Sequence, residues 1–225
     1  MMRFTLIATL ACTLALSACG TEQTNLLRAT LFNNLKQLVS KKDQQQVLTT
    51  EILRTRLTPE VRASLGASVL IAELPSLKVA AVVVAVAQNG GVTTWQAGDG
   101  VAVSTKGGLL LSTRGIGNDL MSSSVDGPLA AITGSGKTYG KGYGVGTAIR
   151  EHRHLDGEDQ LVLRRFECTY AHSKFYVAES CISTNLSKKM MIENQYWLDP
   201  AGAIWRSKQW AGVRNGYMLL ENPPE

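Results

Sequence analysis

Long apolar runs are missing from this chain, and the one that comes nearest stops early. Phe4 to Ala18 is apolar apart from Thr5, Thr9, Thr13 and Ser17, follows the lone basic Arg3, and ends at "CGTEQTN". A bilayer crossing asks for about 20 apolar residues, so residues 1–18 have the length and charge of an export leader rather than of a span. Charge of either sign is also sparse. Without the leader, 22 basic residues face 18 acidic ones, and Lys41-Lys42, Arg164-Arg165 and Lys188-Lys189 stand as separate pairs. No basic stripe of the kind that tracks a phosphate backbone is present, which argues against a nucleic-acid partner. A mild positive balance would still suit an acidic polymer.

Catalytic signatures are equally scarce. The three histidines are His152, His154 and His172. His152 and His154 would share one face of a strand, but without a third ligand at suitable spacing they make a weak zinc signal. No Gly-x-Ser-x-Gly elbow occurs. Gly136-Lys137-Thr138 ends like a phosphate-binding loop, yet Ala131 stands where its first glycine belongs. The sequence therefore implies no metal, no cofactor, no nucleotide and no catalytic residue. It leads us to expect a protein that is not an enzyme.

Cysteine is limited to four positions, and each has a reading. Cys12 leaves with the leader. Leu16-Ser17-Ala18-Cys19 matches the bacterial lipobox, in which the cysteine is lipidated, becomes the first mature residue and is acylated on its amine. Burying acyl chains contributes about 0.8 kcal/mol per CH₂, so Cys19 is expected to hold the chain on outer-membrane lipid. Gly20 and Thr21 in place of an aspartate favour the outer membrane over the inner one. Cys168 and Cys181 remain. In an oxidising compartment two such thiols pair, here across two strands joined by "AHSK", and the bond is expected to be structural.

Proline is rare and no linker divides the chain, so residues 19–225 are expected to form one folded unit: a tether and helical region over 19–66, then a β-rich domain over 67–225. Leu27, Leu31, Leu35 and Leu38 repeat at helical spacing within 20–46, and Thr58 can cap a short helix at Pro59-Glu60. From residue 68 the pattern is β-branched and alternating. Asn89-Gly90-Gly91, Gly98-Asp99-Gly100 and Lys106-Gly107-Gly108 read as turns. The expected fold is all-β, an antiparallel barrel or sandwich with a short N-terminal helical segment.

What the chain does have is a crowd of rings at its end. Tyr196, Trp197, Trp205 and Trp210 are either core, each needing only a partner for its polar atom, or a platform on which sugars stack. Lys137, Tyr139 and Lys141, in a glycine-rich connection, are further candidate contacts to glycan or protein.

These rings complete a resemblance. The lipobox, "TTWQAGDGVAVSTKGGLLLSTRGIGNDL" at 93–120 and "QYWLDPAGAIWRSKQWAGVRNGYMLLE" at 195–221 resemble the YjbF family of lipoproteins, related to the group 4 capsule lipoprotein GfcB. The matching positions are Trp95, Thr113 with Gly115, then Tyr196, Trp197, Gly202, Ile204, Trp205, Ser207, Gln209 and Trp210. Gly107-Gly108-Leu109 departs from the pattern, which has an arginine beside the glycine. The resemblance implies a predominantly β lipoprotein on the periplasmic face of the outer membrane, working with other exopolysaccharide-export proteins and with the polysaccharide itself as a further candidate partner. Two roles follow: a non-enzymatic accessory that binds glycan or a partner, and, as the alternative, an enzyme that modifies envelope polysaccharide. An aromatic-lined groove without carboxylates would favour the first; two facing carboxylates roughly 5–9.5 Å apart would favour the second.

Overall fold

The computed structural model describes residues 47–134, 145–156, 158 and 160–222. The lipobox cysteine Cys19, the leucine-spaced segment 20–46 and the candidate contacts Lys137, Tyr139 and Lys141 lie outside the described residues.

Two short helices come first. In α1 (Thr50–Arg56), Thr49 caps the first turn by accepting the Ile52 N–H. In α2 (Pro59–Leu65), Thr58 does the same for Val61, with Pro59 in the first turn and Gly66 closing the helix. Their apolar faces present Leu53, Leu57 and Leu65 to Val69, Ile71 and Val84. Polar contacts fix the placement: the Thr50 N–H and hydroxyl both donate to Glu73, and Arg54 donates two bonds to Glu221.

The strands are β1 (Val69–Leu74), β2 (Val79–Asn89), β3 (Val92–Gln96), β4 (Ala102–Lys106), β5 (Leu109–Arg114) and β6 (Leu120–Ser123), then β7 (Val145–Leu155), β8 (Leu161–Ser173), β9 (Tyr176–Ser183), β10 (Met191–Leu198), β11 (Ile204–Gly212) and β12 (Gly216–Glu221). They form one antiparallel sheet in the order β5-β4-β3-β2-β1-β12-β11-β10-β9-β8-β7-β6. Nearly every pair is a sequence neighbour; β1 with β12 is the long-range closure that joins the two halves. The sheet curls until its ends, β5 and β6, meet. There the Thr113 hydroxyl accepts the Leu120 N–H and donates to Asp119. The result is an almost closed twelve-stranded barrel, which removes nearly all of the sticky sheet edge.

A third helix, α3 (Asp126–Thr133), had no counterpart in the sequence reading. It packs Leu129, Ala131 and Ile132 against inward-facing Phe166, Cys168 and Tyr170. The β4–β5 hairpin closes against the same region through two glycines at φ of 57° and 85°. A methyl group on Gly107 would stand 2.8 Å from Leu129 Cδ2, and one on Gly108 would stand 2.7 Å from Ile204 Cβ. Glycine is required there both for the backbone and for the approach. The Leu110 amide of the end strand β5 is also accounted for: Gln209 accepts the Leu110 N–H and donates to the Gly108 carbonyl.

Candidate functional site

β11 runs between two openings at opposite ends of the barrel, and between them lies a polar core. At the centre of that core is Glu179 of β9, fully buried. Its carboxylate accepts from Arg150 Nε and Nη2 at 2.9 and 3.1 Å, from Tyr196 at 2.7 Å, and from Tyr170 and Asn194. Burial pushes the Glu179 carboxyl up, but the Arg150 charge and the hydroxyl and amide donors outweigh it and hold the group below its usual range. Burial drives the Tyr196 and Tyr170 hydroxyls upward, so both stay protonated donors. Asn194 carries the network into the backbone: the β10–β11 ladder stops at Gln195–Lys208, and the Asn194 side chain accepts the Trp210 N–H at 2.7 Å.

Cys168 and Cys181 sit directly opposite each other on β8 and β9, beside this network, and are bonded across a Cα separation of 4.0 Å. The strands extend past the expected joint, so the turn is Lys174-Phe175 rather than "AHSK".

One opening is a recess of about 260 Å³. Trp95, Trp205, Arg206, Gln88, Thr105 and Asn222 are among its lining residues. The Trp95 indole is held in place by donation to the Thr105 hydroxyl at 2.8 Å. Trp205 is anchored through its carbonyl, which accepts from Asn222 N. Arg206 lies over the Trp197 ring at 4.9 Å and beside the buried Glu221. A second recess, against α2, shares Trp95 and Asn222 with the first, so the two adjoin. Neither lining contains a carboxylate among the described residues. Half-exposed indoles with planar amide and guanidinium groups around them suit a sugar: rings for its apolar face, fork-shaped donors for its hydroxyls.

The candidate rings named from sequence thus separate. Trp205 lines the recess. Trp197 is half-buried, edge-on to Tyr176 and under Arg206. Tyr196 and Trp210 belong to the interior, the first in the Glu179 network and the second stacked on His152 at 5.4 Å. Sequence reasoning did not count Trp95, Arg206, Gln88 or Asn222 as contacts. For Trp95 a signal existed: Thr93 and Trp95 alternate on a strand paired in register with Thr105 and Val103. The others are gathered only by barrel closure.

A model of the group 4 capsule polysaccharide lipoproteins, GfcB and YjbF, matches residues 32–222. The chain belongs to the YjbF family. Among solved structures, the hypothetical lipoprotein YmcC from Escherichia coli K12 superposes with a TM-score of 0.63. The alignment spans 90% of this chain and 95% of that one at 17% identity, so it speaks for the fold. No curated protein matches the chain. Membership in the YjbF family makes this an envelope lipoprotein associated with capsule polysaccharide production.

Proposed function

We propose that this YjbF-family protein is a non-enzymatic accessory in exopolysaccharide or capsule export, anchored through Cys19 to the periplasmic face of the outer membrane. It holds a stretch of polymer in the groove of Trp95 and Trp205. The observation that carries the reading is the lining itself: indole faces, Arg206 and amide side chains, with no carboxylate among the described residues to serve as acid or nucleophile. Carbohydrate cleavage by the usual two-carboxylate route needs such a pair.

Docking of a partner export protein is the second reading. One feature favours it: Ile182 of β9 and Met191 of β10 are paired on the outer surface, 43 and 67% exposed, in a row that continues through the exposed Glu167 of β8 to Ile149 of β7, 49% exposed. Such a row would meet a neighbour that offers an apolar patch with a cation opposite Glu167.

A deletion strain complemented with the Trp95→Ala/Trp205→Ala protein tests the groove. Membrane fractionation must first show the variant in the outer membrane at the wild-type level. The reading then expects export to stay impaired. Full export with the double variant removes the groove from the function, and a wild-type protein found elsewhere than the outer membrane removes the anchor.

A further inference from the structure

At the barrel end opposite the tryptophan groove, three turns converge on a smaller recess of about 200 Å³. Asn118 comes from the β5–β6 connection, His154 and Asp156 from the end of β7, Arg164 from β8, and Arg214 from the β11–β12 turn. Two arginines therefore meet at one small cavity. Asp156 is the acidic group in the lining, and its Oδ1 is taken by the turn amides of Glu158 and Gln160 at 2.8 Å.

Most buried polar groups of this barrel are paired, as the Glu179 network illustrates. Here they are not. His154 is 4% exposed, and its Nε2 has no hydrogen-bond partner among the described residues. The buried Arg164 Nε also lacks one. Both atoms are shielded from water, while Arg164 and Arg214 bring their guanidinium groups to the lining of the recess. The backbone makes room for the imidazole: Gly212 passes so close that an added Cβ would lie 3.2 Å from His154 Cε1. Burial depresses both side chains, pushing His154 down to about 4 with the Arg164 charge assisting. A neutral imidazole beside two guanidinium groups leaves the recess net positive and rich in donors.

We infer that this recess is a second binding site, specific for an oxyanion: the carboxylate of an acidic sugar or a phosphate group. Arg164 and Arg214 supply the charge and fork-shaped donors, the Asn118 side chain supplies a directional hydrogen bond, and the neutral His154 forms part of the wall beside them. The inference draws on the polysaccharide reading only for the class of molecule that would carry the anion.

The test is calorimetric titration of the full-length lipoprotein in neutral detergent with sodium glucuronate, inorganic phosphate and glucose. Saturable binding of glucuronate alone assigns the site to acidic sugars, and binding of phosphate assigns it to phosphate-bearing ligands. In either case Arg214→Gln and Arg164→Gln should each weaken binding at least tenfold, while glucose gives no heat. Arg214 is exposed, so its replacement leaves folding intact and keeps the test valid even if Arg164→Gln does not fold. Trp95→Ala should leave anion binding unchanged, which separates this site from the groove. Absence of saturable binding for both anions, or equal binding by wild type and Arg214→Gln, overturns the inference.

Discussion

Glu179 shows how a charge is kept inside a barrel: every lone-pair direction of its carboxylate meets a donor, and Arg150 cancels its charge. Such a pair contributes little net stability over an apolar replacement, but removing one partner strands the other. Glu179→Leu should therefore cost about 3–5 kcal/mol. Arg150→Met/Glu179→Leu should cost clearly less than the sum of the two single changes, as urea unfolding of all four proteins would reveal. Additive single-variant costs would mean that the two groups are not coupled. His152 and His154 behave in the opposite sense. Burial comes first in lowering both, with neighbouring cations adding to it, and His154 falls to about 4. An unfolded histidine takes up its proton near pH 6.5, whereas these resist it, so protons favour the unfolded chain. Stability should be full above pH 6.5 and should fall as pH drops from there toward 4. The Glu179 contribution has a separate window, because its lowered pKa delays its loss to pH values below about 4.5. Urea midpoints at pH 7.5 and 5 should thus differ for the wild type, and the difference should shrink in His152→Phe. Equal midpoints for the wild type would contradict neutral burial of the two rings.

Among the elements, the hairpins were the most legible. Gly90-Gly91 and Gly107-Gly108 have positive φ and join strands in the places their sequence marks. Thr58 could be recognised as a cap because an N-cap is a local bargain between one hydroxyl and one amide. The cross-strand Cys168–Cys181 bond was readable because one reversal of direction was enough to bring the residues opposite. α3 was hidden because what stabilises it is tertiary: Leu129 packs against the β4–β5 hairpin at Gly107, and Leu129 and Ile132 join a cluster with Phe166 and Tyr170 of β8. The Arg150–Glu179 network was hidden for the same reason, since four strands, β7 to β10, must align before it exists. The β4–β5 hairpin also carries a testable demand. Gly108→Ala forces a side chain into positive φ and against Ile204, and should cost at least about 1–3 kcal/mol. Gly100→Ala, with φ of 92° but nothing within 4 Å of its Cβ, isolates the backbone part of that cost. Equal thermal losses for the two would mean that the approach to Ile204 contributes nothing.

For the whole molecule, the antiparallel order was visible as strand after turn after strand, but closure was not. Pairing of β1 with β12 joins residues about 150 positions apart, and no local pattern announces it. That closure sets Trp95 of β3 beside Trp205 of β11 and makes a groove of rings that the sequence keeps more than a hundred residues apart. The protein's family is associated with capsule polysaccharide, and the groove is where the proposed function has it hold polymer. The four tryptophans permit a direct reading, because each gives one indole N–H signal: Trp95 and Trp205 in the recess, Trp197 under Arg206, and Trp210 in the core. The deciding measurement is a ¹⁵N–¹H titration with purified fragments of the exported polysaccharide. Saturable shifts of the Trp95 and Trp205 indole signals, with Trp210 unmoved, are the predicted result; unchanged Trp95 and Trp205 signals at saturating polymer would contradict a glycan-holding groove.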